Sequence, residues 1–127
     1  MLLEEFRSRR ERQNEAIMGE QFLPYKRFFA LDHQAYTEGV LTARTKELMG
    51  LVASMVLRCN DCILYHIDRT VAEGASRREL HETMNIALVV GGSIVIPHLR
   101  FAVDALNELL PPDVPDGGVR RTEDGTP

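Results

Sequence analysis

Hydrophobic positions along this chain recur at helical spacing and almost nowhere alternate. The first segment, from about Leu2 to Met18, is dense in charge and carries only a thin apolar stripe at Leu3, Phe6, Ala16 and Ile17. Such a helix is marginal without a surface to lie on, so residues 1–20 read as an arm that docks on the core or on another subunit. Pro24 opens a second helix ending near Gly39, with Phe28, Phe29, Leu31 and Tyr36 as the expected buried positions. A third runs from about Ala43 to Leu57. Its second half, residues 48–57, has Ser54 as its one polar side chain and no periodicity, the pattern of a helix covered on all sides. A fourth starts near Cys59 and stops at Gly74. Ser76 and Glu79 form a capping-box pattern for a fifth, which reaches about Val90 before Gly91 and Gly92 break it. The sixth spans roughly Val95 to Leu109, with Pro97 tolerated in its first turn. The one β-branched run, Ile94-Val95-Ile96, is too short to found a sheet. The expectation is an all-α domain of about six helices over residues 21–110. The Pro- and Gly-rich residues 111–127 that follow read as a disordered tail.

Composition agrees with helices. Of 127 residues 44% are hydrophobic and none is Trp, so the core must be built from Leu, Val, Ile, Met and Ala; Met49, Met55 and Met84 read as core filler. A net charge of −4 gives no electrostatic case for nucleic acid. Arg7, Arg9, Arg10 and Arg12 interleave with Glu4, Glu5, Glu11 and Glu15, which reads as a solvated helix face. No apolar stretch approaches the roughly 18 residues of a membrane span, and the charged N-terminus lacks a secretory apolar region. A cytoplasmic chain without membrane or nucleic-acid partners is expected. A helix such as residues 48–57 needs more cover than a small chain supplies, so a homo-oligomer is expected as well.

The chemistry concentrates in one stretch. The two cysteines stand as Cys59-Asn60-Asp61-Cys62, with His66 four residues beyond and Glu47 twelve residues before. A Cys-x-x-Cys pair at a helix start can cycle between dithiol and disulfide, its thiolates favoured by unpaired N–H groups and the helix dipole. Oxidation of such a pair typically passes through a sulfenic acid on one sulfur, captured by the other. His66 lies one turn beyond Cys62 on the same face and can exchange a proton with it. On one continuous helix Glu47 and His66 would stand about 28 Å apart. Only a chain reversal at Arg58–Asn60, making an antiparallel hairpin, brings their levels within about 6 Å. Two other readings stay open at this point: cysteines as small core hydrophobes, or zinc held by both cysteines, His66 and His81 or His98. Outside such a zinc set, His33, His81 and His98 read as structural or surface residues. Glu47 shares its helical face with Leu51 and Met55, where an acid is either a proton acceptor or a costly placement.

These residues, Lys46-Glu47-Leu48, the apolar helix, Arg58-Cys59-Asn60-Asp61-Cys62, His66, Gly74-Ala75-Ser76 and Glu79, resemble the carboxymuconolactone decarboxylase / alkylhydroperoxidase D-like superfamily over about Pro24 to Leu109. The resemblance implies an all-helical domain whose cysteines sit on a helical hairpin, assembled as a dimer, trimer or hexamer. It implies an antioxidant peroxidase in which Cys62 attacks a hydroperoxide, Cys59 resolves it, and Glu47 and His66 form a water-linked proton relay. No bound cofactor or metal is implied; a dithiol such as a lipoyl group re-reduces the pair. The decarboxylase branch lacks the cysteine pair, which argues against lactone decarboxylation. A dithiol–disulfide exchanger with weak peroxidase activity and a non-catalytic helical oligomer are the alternatives. One departure matters: the alkylhydroperoxidase D pattern has a histidine between the cysteines where this chain has Asp61. A carboxylate there disfavours thiolates unless it points outward or caps the helix.

Overall fold

In the computed structural model, which describes residues 1–112, six α-helices and one short 3-10 turn follow one another, and no strand occurs among the described residues. The helices are α1 (Leu2–Gly19), α2 (Leu23–Ala35), α3 (Ala43–Val56), α4 (Asn60–Ala72), α5 (Arg77–Gly91) and α6 (Ile96–Leu109), with the turn at Ser93–Val95. Most of the expected tail, from residue 113 onward, lies outside the described residues.

Local chemistry sets the boundaries. Thr42 caps α3 by accepting the Thr45 N–H at 3.1 Å. Ser76 and Glu79 form a complete capping box on α5, with bonds of 3.1 and 3.3 Å. At the end of α4, Gly74 (φ +87°) donates to the Val71 carbonyl and Ala75 to that of Thr70, the paired bonds of a Schellman motif. The end of α3 repeats that motif without a glycine. Arg58 takes φ +61° and donates to Met55 O, while the Cys59 N–H donates to Ser54 O. The chain therefore reverses at the expected place, and α3 and α4 pack as a hairpin. The second helix stops at Ala35 rather than near Gly39, because the Thr37 hydroxyl takes the Gln34 carbonyl at 2.7 Å and the chain bends away.

The core lies between α3, α4, α5 and α6, around Leu51, Met55, Ile67, Leu80, Met84 and Leu106, all fully buried. The arm α1 docks on it through buried Leu3 and Phe6. Its first N–H groups, on Leu2 and Leu3, donate to the Glu108 carboxylate of α6 at 2.9 and 3.0 Å, a cap supplied from across the fold.

Three expectations are corrected. The basic face of α1 is not simply solvated, since Arg7 makes a two-point ion pair with Asp68, Arg9 pairs with Asp61, and Arg10 stacks on the Tyr65 ring. The apolar residues of α2 are not buried within the chain: Phe28 is 66% and Leu31 63% exposed, Phe29 is also open, and Tyr36 is only half-buried. Of the three methionines only Met55 and Met84 are core: Met49 is exposed, on an edge of α3 that with Ala53 and Leu57 the single chain leaves open. One chain has too few elements to shield these faces.

Candidate active site

The hairpin brings the four residues singled out in the sequence together at the start of α4. Cys59 is the N-cap residue of α4, and its sulfur accepts the Cys62 N–H at 3.3 Å. Cys59 and Cys62 are joined as a disulfide, with Cα atoms 5.3 Å apart. One turn on, the His66 Nδ1 lies 2.8 Å from Glu47 Oε2 of α3. Both side chains are buried. The carboxylate of Glu47 is the acceptor, so Nδ1 carries the hydrogen and Nε2 is the ring nitrogen left for a second partner.

Four residues that sequence reasoning did not assign to the site frame this pair. The His66 ring packs against the rings of both Tyr36 and Tyr65, centroids 5.5 and 5.1 Å away. Burial, and after it the Glu47 charge, pushes both phenols above their ordinary range and keeps them neutral. Gly50 of α3 lies beneath the imidazole, where a Cβ would fall 2.5 Å from His66 Cε1 and 2.8 Å from each ring nitrogen. Arg9 bonds Asp61 at 3.0 Å across from α1. The sequence offers no signal for any of the four, since what places each of them at the site is a contact made only in the folded chain.

Asp61 points outward, exposed and paired with Arg9. The guanidinium of Arg9 partly offsets the penalty that the Asp61 charge would impose on the thiols. The other spacer residue is also held: Asn60 Oδ1 meets His98 Nδ1 of α6 at 2.8 Å, so His98 braces the motif. Among the described residues no three His, Cys, Asp or Glu side chains converge as a metal-ion site.

Cys62 and His66 open on a cavity of about 360 Å³ between α1, α2 and α4. Cys62 is exposed and lines it, whereas the half-buried Cys59 does not. The two sulfurs are thus unequal in access.

A family model described as the carboxymuconolactone decarboxylase family matches residues 24–105. A Thermotoga maritima protein (TM1620) of known crystal structure is 58% identical, with 83% of this chain and 92% of that one covered at a TM-score of 0.80. A second crystal structure of it names a carboxymuconolactone decarboxylase family protein with a possible involvement in antioxidative response. A Legionella pneumophila protein of the same family description is 26% identical over 84% of this chain and 95% of its own, at a TM-score of 0.78. Among curated proteins, an uncharacterized protein of the Paracoccus denitrificans cox locus is 28% identical over 65% of this chain and 74% of its own length.

Proposed function

The chain belongs to the carboxymuconolactone decarboxylase family, and on that footing we propose that it is a thiol-dependent antioxidant oxidoreductase that reduces alkyl hydroperoxides. The observation that carries this reading is the shared opening of Cys62 and the Glu47-bound His66 on one cavity, with Cys59 in bonding distance behind.

In the dithiol form His66 Nε2 takes the Cys62 proton, directly or through one water, and Glu47 steadies the imidazolium. The Cys62 thiolate attacks the terminal peroxide oxygen. The O–O bond breaks, two electrons pass from sulfur, and the alkoxide leaves with a proton from His66 as the alcohol. Cys62 is then a sulfenic acid. The Cys59 sulfur attacks it, the S–S bond forms, and the hydroxide leaves as water with the Cys59 proton. The sum is one hydroperoxide and two thiols giving alcohol, water and the disulfide. An external dithiol, such as a lipoyl group, reopens the pair by exchange. This cycle suits the cytoplasm, where thiols are kept reduced.

Thiol titration tests it. With stoichiometric organic hydroperoxide the reduced protein should lose both thiols per chain, and Cys62→Ser should abolish that loss. Thiols lost only to a disulfide donor would replace this reading with dithiol–disulfide exchange. Thiols inert to both would leave a non-catalytic helical protein. We also propose that the chain works as a homo-oligomer, on the apolar surface α2 leaves open.

A further inference from the structure

We propose that α1 is the specificity element of this site: its inner face selects uncharged organic hydroperoxides for Cys62 over both hydrogen peroxide and hydroperoxides that carry a carboxylate. This rests on the reading of Cys62 as the attacking sulfur.

The helix α1 ends before residue 24, where the family model begins to match. Even so, one wall of the cavity at Cys62 comes from it, through Phe6, Arg9, Arg10 and Ile17, among others. It is anchored for that role at three levels: Leu3 and Phe6 in the core, Glu108 on its first N–H groups, and Arg7 on Asp68. These anchors hold the first two turns of the helix against the core and so set where its inner face meets the cavity.

Size and charge give the selection its direction. At about 360 Å³ the cavity falls at the small end of the roughly 300–1,000 Å³ typical of ligand pockets. Hydrogen peroxide, little larger than a water molecule, would leave most of it unfilled and gain nothing from the apolar part of its lining. Its lining is mixed: Phe6 and Ile17 of α1 with Tyr36 and Tyr65 supply ring and alkyl surface for an alkyl or aryl group, beside polar Gln13 and Asn14 of the same helix. The charged groups around it cancel. Arg9 is bonded to Asp61, Arg10 is stacked on Tyr65, and Asp32 of α2 opposes Arg10 in sign. A carboxylate on the substrate would lose hydration and meet two carboxylates, Asp32 and Asp61, in the same lining, with Arg9 already bonded to one of them.

The test uses the reduced Cys59→Ser chain, in which Cys62 is the one thiol. Second-order rates are measured with hydrogen peroxide, cumene hydroperoxide and its para-carboxylate analogue. Independently of peroxide chemistry, rates are also measured with the small reagent methyl methanethiosulfonate and the bulky N-phenylmaleimide. Ile17→Trp should overfill the cavity and lower the cumene-to-hydrogen-peroxide rate ratio, and the maleimide-to-methanethiosulfonate ratio, each by about tenfold. Ile17→Ala should raise both or leave them unchanged. The carboxylate analogue should react more slowly than cumene hydroperoxide itself. Ratios unmoved by Ile17→Trp, or a carboxylate analogue faster than its neutral parent, would overturn the proposal. A maleimide ratio that falls in a protein inert to every peroxide would uphold α1 as the access wall while sinking the peroxidase reading.

Discussion

Gly50 carries more of the site than its lack of a side chain suggests. The His66 ring lies against the α3 backbone there, and a methyl group would fall 2.5 Å from Cε1. The ring cannot slide aside, because Tyr36 and Tyr65 lie against it and Nδ1 is tied to Glu47. Gly50→Ala would gain helix propensity, yet overpacking a buried site costs about 1–3 kcal/mol, so the net effect is destabilising. The expected outcome is a lower urea midpoint together with slower reaction of Cys62 with hydroperoxide, the second because the Glu47–His66 bond is displaced. A Gly50→Ala protein with wild-type stability and wild-type thiol reactivity would show that the imidazole is not confined by α3. Glu47 and His66 were legible as candidates from their spacing about the cysteines. Gly50 was not, since nothing in a sequence says that a ring from the next helix will lie over it.

The hairpin of α3 and α4 depends on one unfavourable backbone position. Arg58 occupies the left-handed region at φ +61° so that its own N–H and that of Cys59 can satisfy the last carbonyls of α3. For a residue with a Cβ this conformation costs roughly 1–2 kcal/mol, part of which glycine would return as unfolded-state entropy. Arg58→Gly should therefore stabilise the reduced protein by about 0.5–1 kcal/mol, read from chemical denaturation, and leave the hairpin unchanged. A loss of stability would mean that the arginine side chain makes a compensating contact. Several boundaries could be read from capping chemistry, which is local: Ser76 with Glu79, and Gly74. The reversal at Arg58 carries no such signal and was legible only from the need to bring Glu47 level with His66. The inner face of α1 could not be read in either way. Arg9 and Arg10 look like any solvated charges until α4 is laid beside them, because their partners Asp61 and Tyr65 lie more than fifty residues away in sequence.

The misjudged burial of α2 bears on the molecule as a whole. Its apolar residues follow a helical stripe, Phe22, Tyr25, Phe28 and Leu31, and each is about half exposed or more in the single chain. A second apolar edge, Met49 and Leu57 on α3 with Ile86, Val89 and Val90 on α5, is likewise open. Phe28, Phe29 and Leu31 were expected to be buried, and the single chain leaves them open. Patches of more than a few hundred Å² are rare on monomers and mark interfaces, so α2 is expected to be covered by a second copy. Phe28→Glu tests this cleanly, because the side chain is 66% exposed and its replacement removes no packing from the lone chain. If Phe28 is a central contact, a charge there should weaken association by on the order of 2 kcal/mol, about thirtyfold in dissociation constant. Sedimentation velocity over a range of concentrations should then show the wild type assembled and Phe28→Glu shifted toward the monomer, with equal helical circular dichroism. A wild type that stays monomeric at tens of micromolar, or a variant that assembles equally well, would remove α2 as the contact. Because Tyr36 lies just past the end of α2 and touches His66, dissociation should also loosen the site. Faster alkylation of Cys62 in the Phe28→Glu monomer would show that assembly and the active site are joined through that helix.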